Sequence, residues 1–347
     1  MNILVIGPAW VGDMVMSHSL YQLLQQRYPD ARIDVMAPDW CRPLLERMPE
    51  VSQAIRMPLG HGEFNLKKRW KLGRELKGHY DRAYILPNSL KSSLIPFFAR
   101  VPYRCGWKGE SRYGLLNDLR SNKRDFTLMV ARYAALAFDK SAMRSDQDLP
   151  EIPPPYLQVN PEDVTLVLEK MQLTTQRPVL AICPGAEFGP AKRWPETQYA
   201  EVAQHWIAQR GGQVWIFGSK KDLPVAEQIK AHLGENQRTH CQLLAGQTSL
   251  GEAIDLMSVA SAVISNDSGL MHIGAALGRP IVAIYGSTSP NYTPPLSQTV
   301  EILHTDIDCR PCFKRTCPLG HLKCLTELPA SGAIAALSKL VPLQELD

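Results

Sequence analysis

Short apolar runs recur along the first half of the chain, each followed by turn residues and then by a segment of helical periodicity. Ile3, Leu4, Val5 and Ile6 predict a strand over residues 2–6, with a helix near 13–27 behind it. "ARIDVMAP" reads as the next strand, "WCRPLLERMP" as a short helix and "YDRAYILPN" as another strand. Strands alternating with helices predict a parallel sheet wrapped by helices. The pattern then breaks. "DQDLPEIPPPYLQVNPED" (146–163) holds five prolines and little periodicity. Proline fixes φ and removes an N–H, so this stretch reads as a linker, with a domain boundary between about 150 and 175.

A second set of units follows. "PVLAICPG" reads as a strand. In "PETQYAEVAQHWIAQRGG", Tyr199, Val202, Ala203, Trp206 and Ile207 fall on one helical face. Pro195 suits that helix's first turn and Gly211–Gly212 its end. "QVWIFGS" reads as a strand, and "SAVISNDSGLMHIGAALGRPIVAIYG" as strand, turn, helix and strand, with Gly278 as the C-cap. A helix at about 327–341 closes the chain. The expected architecture is two similar α/β domains, 1–160 and 175–326, with a C-terminal segment 327–347. A ligand cleft is expected at the C-terminal edges of the two sheets.

Composition narrows the class. The 347 residues are 45% hydrophobic and 21% charged, ordinary for a globular protein of about two domains. No run reaches the ~18 apolar residues of a membrane span. Pro8 and Asp13 interrupt the first apolar stretch and no basic n-region precedes it, so the expectation is a cytoplasmic protein. The eight cysteines then read as thiols or metal ligands. Charge is uneven: from Gly60 to Arg124 there are 15 Lys/Arg against 5 Asp/Glu, and the remainder is net acidic. Such a segment suits an anionic partner, or is simply a solvated helix face around "LKKRWKLGRELKG".

Three turns carry candidate chemistry, each following a predicted strand. In "GPAWVGD", the glycine spacing of a dinucleotide loop is broken by Ala9, and Pro8 has no N–H to offer. Asp13 would repel phosphate. It reads either as a helix-start residue meeting the positive dipole end or as a general base. "CPGAEFGPAKRWPE" places Gly185, Gly189, Lys192 and Arg193 just before a helix start, the makings of an anion site. "SNDSGLMH" opens a helix with Asp267, Ser268 and Gly269, and His272 lies one turn on. A diphosphate held by the last two turns and a carboxylate in the first domain fit transfer of a group from that diphosphate.

At these residues the chain resembles the bacterial ADP-heptose–lipopolysaccharide heptosyltransferases, nearest to the type II branch. "ILVIGPAWVGDMVMSHSL", "DVMAPDWCRPLLERMPEV", "RAYILPNSLKSSLIPFFA", "GWKGESRYGLLND", "CPGAEFGPAKRWP" and "NDSGLMHIGAALGRP" carry the resemblance, which runs from residue 2 to about 295. It implies a glycosyltransferase-B fold, two Rossmann-like domains facing a central cleft, with the last helix returning toward the first domain. It implies inverting transfer of L-glycero-D-manno-heptose from ADP-heptose to the first heptose of the inner core, with no metal required. Asp13 takes the role of general base and Lys192 contacts the diphosphate. Gly185, Glu187, Arg193, Asp267, Ser268, Gly269 and His272 join Lys192 on the donor side. Gly12, Lys91 and Arg112 are assigned to the acceptor, a heptosyl-Kdo2-lipid A at the cytoplasmic face of the inner membrane.

One segment is left over. "CRPCFKRTCPLGHLKC" brings Cys309, Cys312, Cys317 and Cys324 close in sequence, with His321 nearby. Structural zinc, free thiols and a disulfide all remain open there. Rival readings are a type I heptosyltransferase, another core glycosyltransferase, or a nicotinamide-dependent oxidoreductase. The broken glycine pattern and the lack of a clear ribose-binding acid argue against the last. A nucleic-acid binder is disfavoured because the basic residues match no binding motif.

Overall fold

The computed structural model describes residues 1–60 and 62–342. Its contacts divide the chain into two compact units, Met1–Pro155 and Tyr156–Asp347. The first unit holds β1 (Asn2–Ile6), β2 (Arg32–Ala37), β3 (Val51–Arg56), β4 (Arg82–Ile85), β5 (Tyr103–Trp107) and β6 (Asp118–Arg120). All pair in parallel, in the order β3-β2-β1-β4-β5-β6. The second holds β7 (Val179–Cys183), β8 (Gln213–Ile216), β9 (Cys241–Leu243), β10 (Ala262–Asn266), β11 (Ile281–Ile284) and β12 (Val300–Leu303). Their order, β12-β11-β10-β7-β8-β9, repeats the first arrangement, again all parallel. Each sheet is a Rossmann-like, doubly wound sheet with helices around it.

The central strands are continuous apolar runs because a parallel sheet is covered on both faces. Leu4, Ile6, Met36, Ile85 and Ile95 meet in the first core, and Leu180, Ile182, Trp206, Ile264, Ile284 and Leu337 in the second. The helix Val11–Arg27 is buried from Met14 to Leu24, so its apolar residues are spread around the axis rather than confined to a stripe. The helix Glu196–Arg210 buries the expected face from Tyr199 to Ile207. Pro195 sits just outside it as the N-cap residue, and Gly211 ends it at φ +57°, a left-handed conformation that glycine adopts without steric cost.

The helix Ala330–Leu340 buries Ala330, Ala333, Ala336 and Leu337 in the second unit's core. Residues 343–347 of the expected C-terminal segment lie outside the described residues. Among the described residues, no helix is long and apolar enough to cross a membrane.

Both sheets reverse their strand order at an interior pair, β1/β4 in the first unit and β7/β10 in the second. Loops leaving the C-terminal ends of such a pair diverge to opposite sides and leave a crevice between them. "GPAWVGD" follows β1. "CPGAEFGPAKR" follows β7, and Asp267-Ser268 follows β10. The chemistry-bearing turns thus stand at the two switch points.

Candidate active site

In the first unit, Gly7 serves packing. A Cβ there would lie 2.8 Å from Met14 Cε and 3.2 Å from Val35 Cγ1, so the glycine lets the helix close down on the sheet. The loop behind it is pinned by Trp40, whose indole N–H donates to the Ala9 carbonyl at 2.9 Å. Asp13 lies in the first turn of the helix Val11–Arg27 and is partly exposed, where the dipole favours its charge. Tyr133 donates its hydroxyl to Asp13 Oδ1 at 3.2 Å from the helix Met129–Ala134. Lys123 lies within electrostatic reach of Asp13, Arg132 and Arg112. Burial and the two guanidiniums hold its ammonium below the usual lysine range, and Asp13 opposes them.

The expected acceptor residues divide. Gly12 is the second residue of the Asp13 helix, and Lys91 is half-buried near the start of the helix Leu90–Phe98. Arg112 is 1% exposed. Its Nη1 donates to the Pro87 carbonyl at 2.7 Å and its Nη2 to the Trp107 carbonyl. Burial lowers its pKa to about 10. Arg112 therefore ties the loops after β4 and β5 together from inside.

In the second unit the expected donor residues converge. Lys192 Nζ lies 2.6 Å from Asp267 Oδ2 and 3.3 Å from the Asp267 carbonyl, with both side chains largely buried. Thr288 donates to the same Oδ2 at 2.6 Å. Lys192 also sits over the Phe188 ring at 5.0 Å. Asn266, just before Asp267, accepts from the Trp194 N–H and the Tyr199 hydroxyl and donates to the Pro184 carbonyl. Every polar group of that amide is thereby used to lock β10 to the loop after β7.

Ser268 is the N-cap residue of the helix Gly269–Ala276, its hydroxyl 3.2 Å from that of Ser265. The first N–H groups of this helix lack partners within it, and its dipole favours an anion. His272 is 5% exposed. Burial, reinforced by Lys192 and opposed by Asp267, lowers its pKa to about 4, so it is a neutral imidazole at pH 7.

Gly185 makes room for a carboxylate. A Cβ there would fall 2.7 Å from Asp222 Cγ. Asp222 accepts from the Ser219 N–H and hydroxyl, each at 2.8 Å, and lies 4.0 Å from Arg193 Nη2. Glu187 is exposed and pairs with Lys221 at 2.9 Å. Sequence reasoning missed three residues here. Tyr133, Asp222 and Thr288 belong to no motif, and only the folded chain brings them to Asp13, Gly185 and Asp267.

All eight cysteines are free thiols. Cys309, Cys312, Cys317 and Cys324 line one cavity with His321. Among the described residues, however, no three His, Cys, Asp or Glu side chains are placed to hold a metal ion, so the zinc reading has no support in the structure.

A separate surface lies on the helix Leu66–Glu75. Lys67, Lys68, Lys71 and Arg74 are exposed, and so are Phe64, Leu66 and Trp70. Its other face is buried: Arg69 donates to the carbonyls of Phe64 and Lys91, and Gly73 lets the helix Leu90–Phe98 approach.

Residues 69–323 match the family model for glycosyltransferase family 9 (heptosyltransferase). The chain is 57% identical over 307 residues to the lipooligosaccharide heptosyltransferase 2 of Haemophilus influenzae, covering 87% of this chain and 88% of that one. It is 51% identical to the lipopolysaccharide heptosyltransferase 2 of Escherichia coli K12, over 99% of both chains. Its fold is similar to that of the solved E. coli ADP-heptose lps heptosyltransferase II, with a TM-score of 0.89, 48% identity and 98% of each chain covered.

The histidine carries a pH signature. Its folded pKa lies below the unfolded value, so the stability it contributes is complete above about 6.5 and is lost as pH falls toward 4. The shift corresponds to roughly 3 kcal/mol at full loss. Urea midpoints at pH 7 and pH 5 should therefore fall less steeply in His272→Gln than in the wild type. Equal slopes would mean that His272 is not held neutral by burial.

Proposed function

The chain belongs to glycosyltransferase family 9, the heptosyltransferase family, and on that premise we propose that it acts as heptosyltransferase II. In this reading it moves L-glycero-D-manno-heptose from ADP-heptose to the first heptose of the lipopolysaccharide inner core. The observation that carries it is likeness to the E. coli protein over nearly the full length of both chains. Both sheets and all three switch-point turns fall within the matched length.

The chemistry follows from the two sites. Asp13 takes the proton of the acceptor hydroxyl as its oxygen attacks the anomeric carbon. The bond from that carbon to the diphosphate oxygen breaks, the configuration inverts and ADP leaves. A helix-start carboxylate is a weak base, and it suffices when the proton is transferred late, as attack proceeds. Tyr133 fixes the carboxylate through Oδ1.

The departing diphosphate is met by Lys192, by Arg193 and by the amides at the start of the helix Gly269–Ala276. Asp267 holds Lys192 in place before the donor arrives. As Lys192 turns to phosphate, Asp267 keeps the Thr288 hydroxyl and accepts from sugar hydroxyls.

The acceptor is a lipid, and the exposed face of the helix Leu66–Glu75 supports work at the cytoplasmic face of the inner membrane. Lysines and arginine offer charge to anionic headgroups, and Trp70, Phe64 and Leu66 offer interfacial anchors.

In an ADP-release assay with ADP-heptose and heptosyl-Kdo2-lipid A, Asp13→Asn should lose on the order of 10² to 10⁴ in turnover. Near-normal turnover would remove Asp13 as the base. Lys192→Ala should raise the donor KM and lower kcat; if neither changes, the diphosphate site lies elsewhere.

Tyr133→Phe removes a hydrogen bond to the ionised carboxylate, which raises the Asp13 pKa. The acid limb of its kcat–pH profile should shift to higher pH, and a limb that stays put would deny Tyr133 this role. Co-sedimentation with vesicles of phosphatidylethanolamine and phosphatidylglycerol should weaken in Trp70→Ala and in Lys67→Glu/Lys71→Glu. Wild-type binding by both variants would place the lipid contact on another surface.

A further inference from the structure

The cysteine-bearing segment 309–324 is absorbed by none of the chemistry above, yet it is hydrogen-bonded to both turns that shape the Lys192 site. The Ala191 N–H donates to the Arg315 carbonyl at 3.1 Å, one residue before Lys192. The Phe313 N–H donates to the Ser287 carbonyl at 2.7 Å, one residue before Thr288. The Ser287 N–H in turn donates to the Ala191 carbonyl at 3.1 Å, which closes a three-stranded knot of backbone.

Arg310 threads the same knot with its side chain. Nε donates to the Gly286 carbonyl at 3.1 Å, Nη2 to the Thr288 carbonyl at 3.1 Å and Nη1 to the Thr305 carbonyl at 3.2 Å. Three donors of one planar group thus set the 286–288 turn against the loop after β12. Arg315 lies over the Phe188 ring at 5.3 Å, the same ring that Lys192 sits over. The close fit is visible at Gly189. Its φ is +155°, and a Cβ there would fall 2.4 Å from the Arg315 carbonyl oxygen. The four cysteines line a cavity whose other wall includes Ala191 and Ser287.

We infer that the segment 309–324 is a brace for the diphosphate turns and that Arg310 is its positioning residue. It fixes where Lys192 and Thr288 stand relative to Asp267, without touching donor or acceptor. The hydrogen bonds tie this loop to the residues immediately before Lys192 and Thr288. Lys192 is carried by a short turn, Pro190–Lys192, and Ala191 at its centre makes both of its backbone hydrogen bonds outside the turn, to Arg315 and to Ser287. The inference rests on the reading of Lys192 and Asp267 as the diphosphate site.

The test is ADP titration calorimetry with steady-state kinetics on the full chain. Arg310→Ala should weaken ADP binding by about tenfold, the effect of losing roughly one net hydrogen bond's worth of placement. The donor KM should rise by a similar factor while the acceptor KM stays unchanged, and Arg310→Lys should recover part of the loss. A merely destabilised protein would instead lose active fraction, lowering kcat with both KM values intact.

Gly189→Ala strains the brace from the opposite side and should show the same donor-specific defect, so the test survives if Arg310→Ala fails to fold. Wild-type ADP affinity in folded Arg310→Ala, or in Gly189→Ala when the former does not fold, overturns the brace. Lys192→Ala separates the two readings. If it too binds ADP normally, the diphosphate site is wrong; if it alone is weakened, only the brace falls.

Discussion

The buried ion pair between Lys192 and Asp267 is the constraint around which the second unit is arranged. A buried pair is weak evidence of stability, because desolvating two charges costs about what their attraction returns. Its value lies in placement. Asp267 follows directly on β10, Lys192 comes from the loop after β7, and those are the adjacent strands at which the sheet order reverses. The pair crosses the crevice that the topology opens. Asn266 seals the floor of that crevice with three hydrogen bonds, and Thr288 adds a third group from the neighbouring β11 side. In the first unit the equivalent crevice carries Asp13, whose carboxylate accepts from the Tyr133 phenol and faces the Lys123 ammonium within electrostatic reach. The same topology thus presents a lysine held by its counterion in one sheet, and a carboxylate at a helix start in the other.

Much of this was legible in the chain because buried parallel strands are written as apolar runs. β1, β2, β4, β7, β8, β10 and β11 all follow such runs. β3, β5, β6, β9 and β12 do not. β3 is half exposed along its length at a sheet edge. β6 buries Arg120 by pairing it with Asp118 and with the carbonyls of Ala135 and Phe138. Its polar letters hide an inward-facing strand, since charge can be buried when every donor is used.

The same physics misplaced Arg112. An arginine in a basic segment reads as a surface group offered to a ligand, and nothing local announces that its donors will be taken by two carbonyls. Thr288 and Tyr133 were invisible for a different reason. Tyr133 stands 120 residues from Asp13, and their contact exists only once two helices have packed. Motif residues were found because glycine and capping signals are local. Their supporting partners were missed because support is tertiary.

The proline-rich stretch has a role beyond spacing. Ser19 donates to the Pro153 carbonyl at 2.6 Å, and Gln22 to the Pro154 carbonyl at 3.0 Å. The last residues of the first unit therefore fasten back onto its first helix, immediately before the boundary at Pro155. Every strand of the first sheet, and the clasp that closes it, is encoded before residue 156. During synthesis on the ribosome the amino-terminal half can complete its own sheet while the second is still being translated. A parallel sheet folds slowly, because its strand pairings span long sequence separations. Confining those pairings to one emerged segment at a time keeps the strands of one sheet from pairing with the edges of the other.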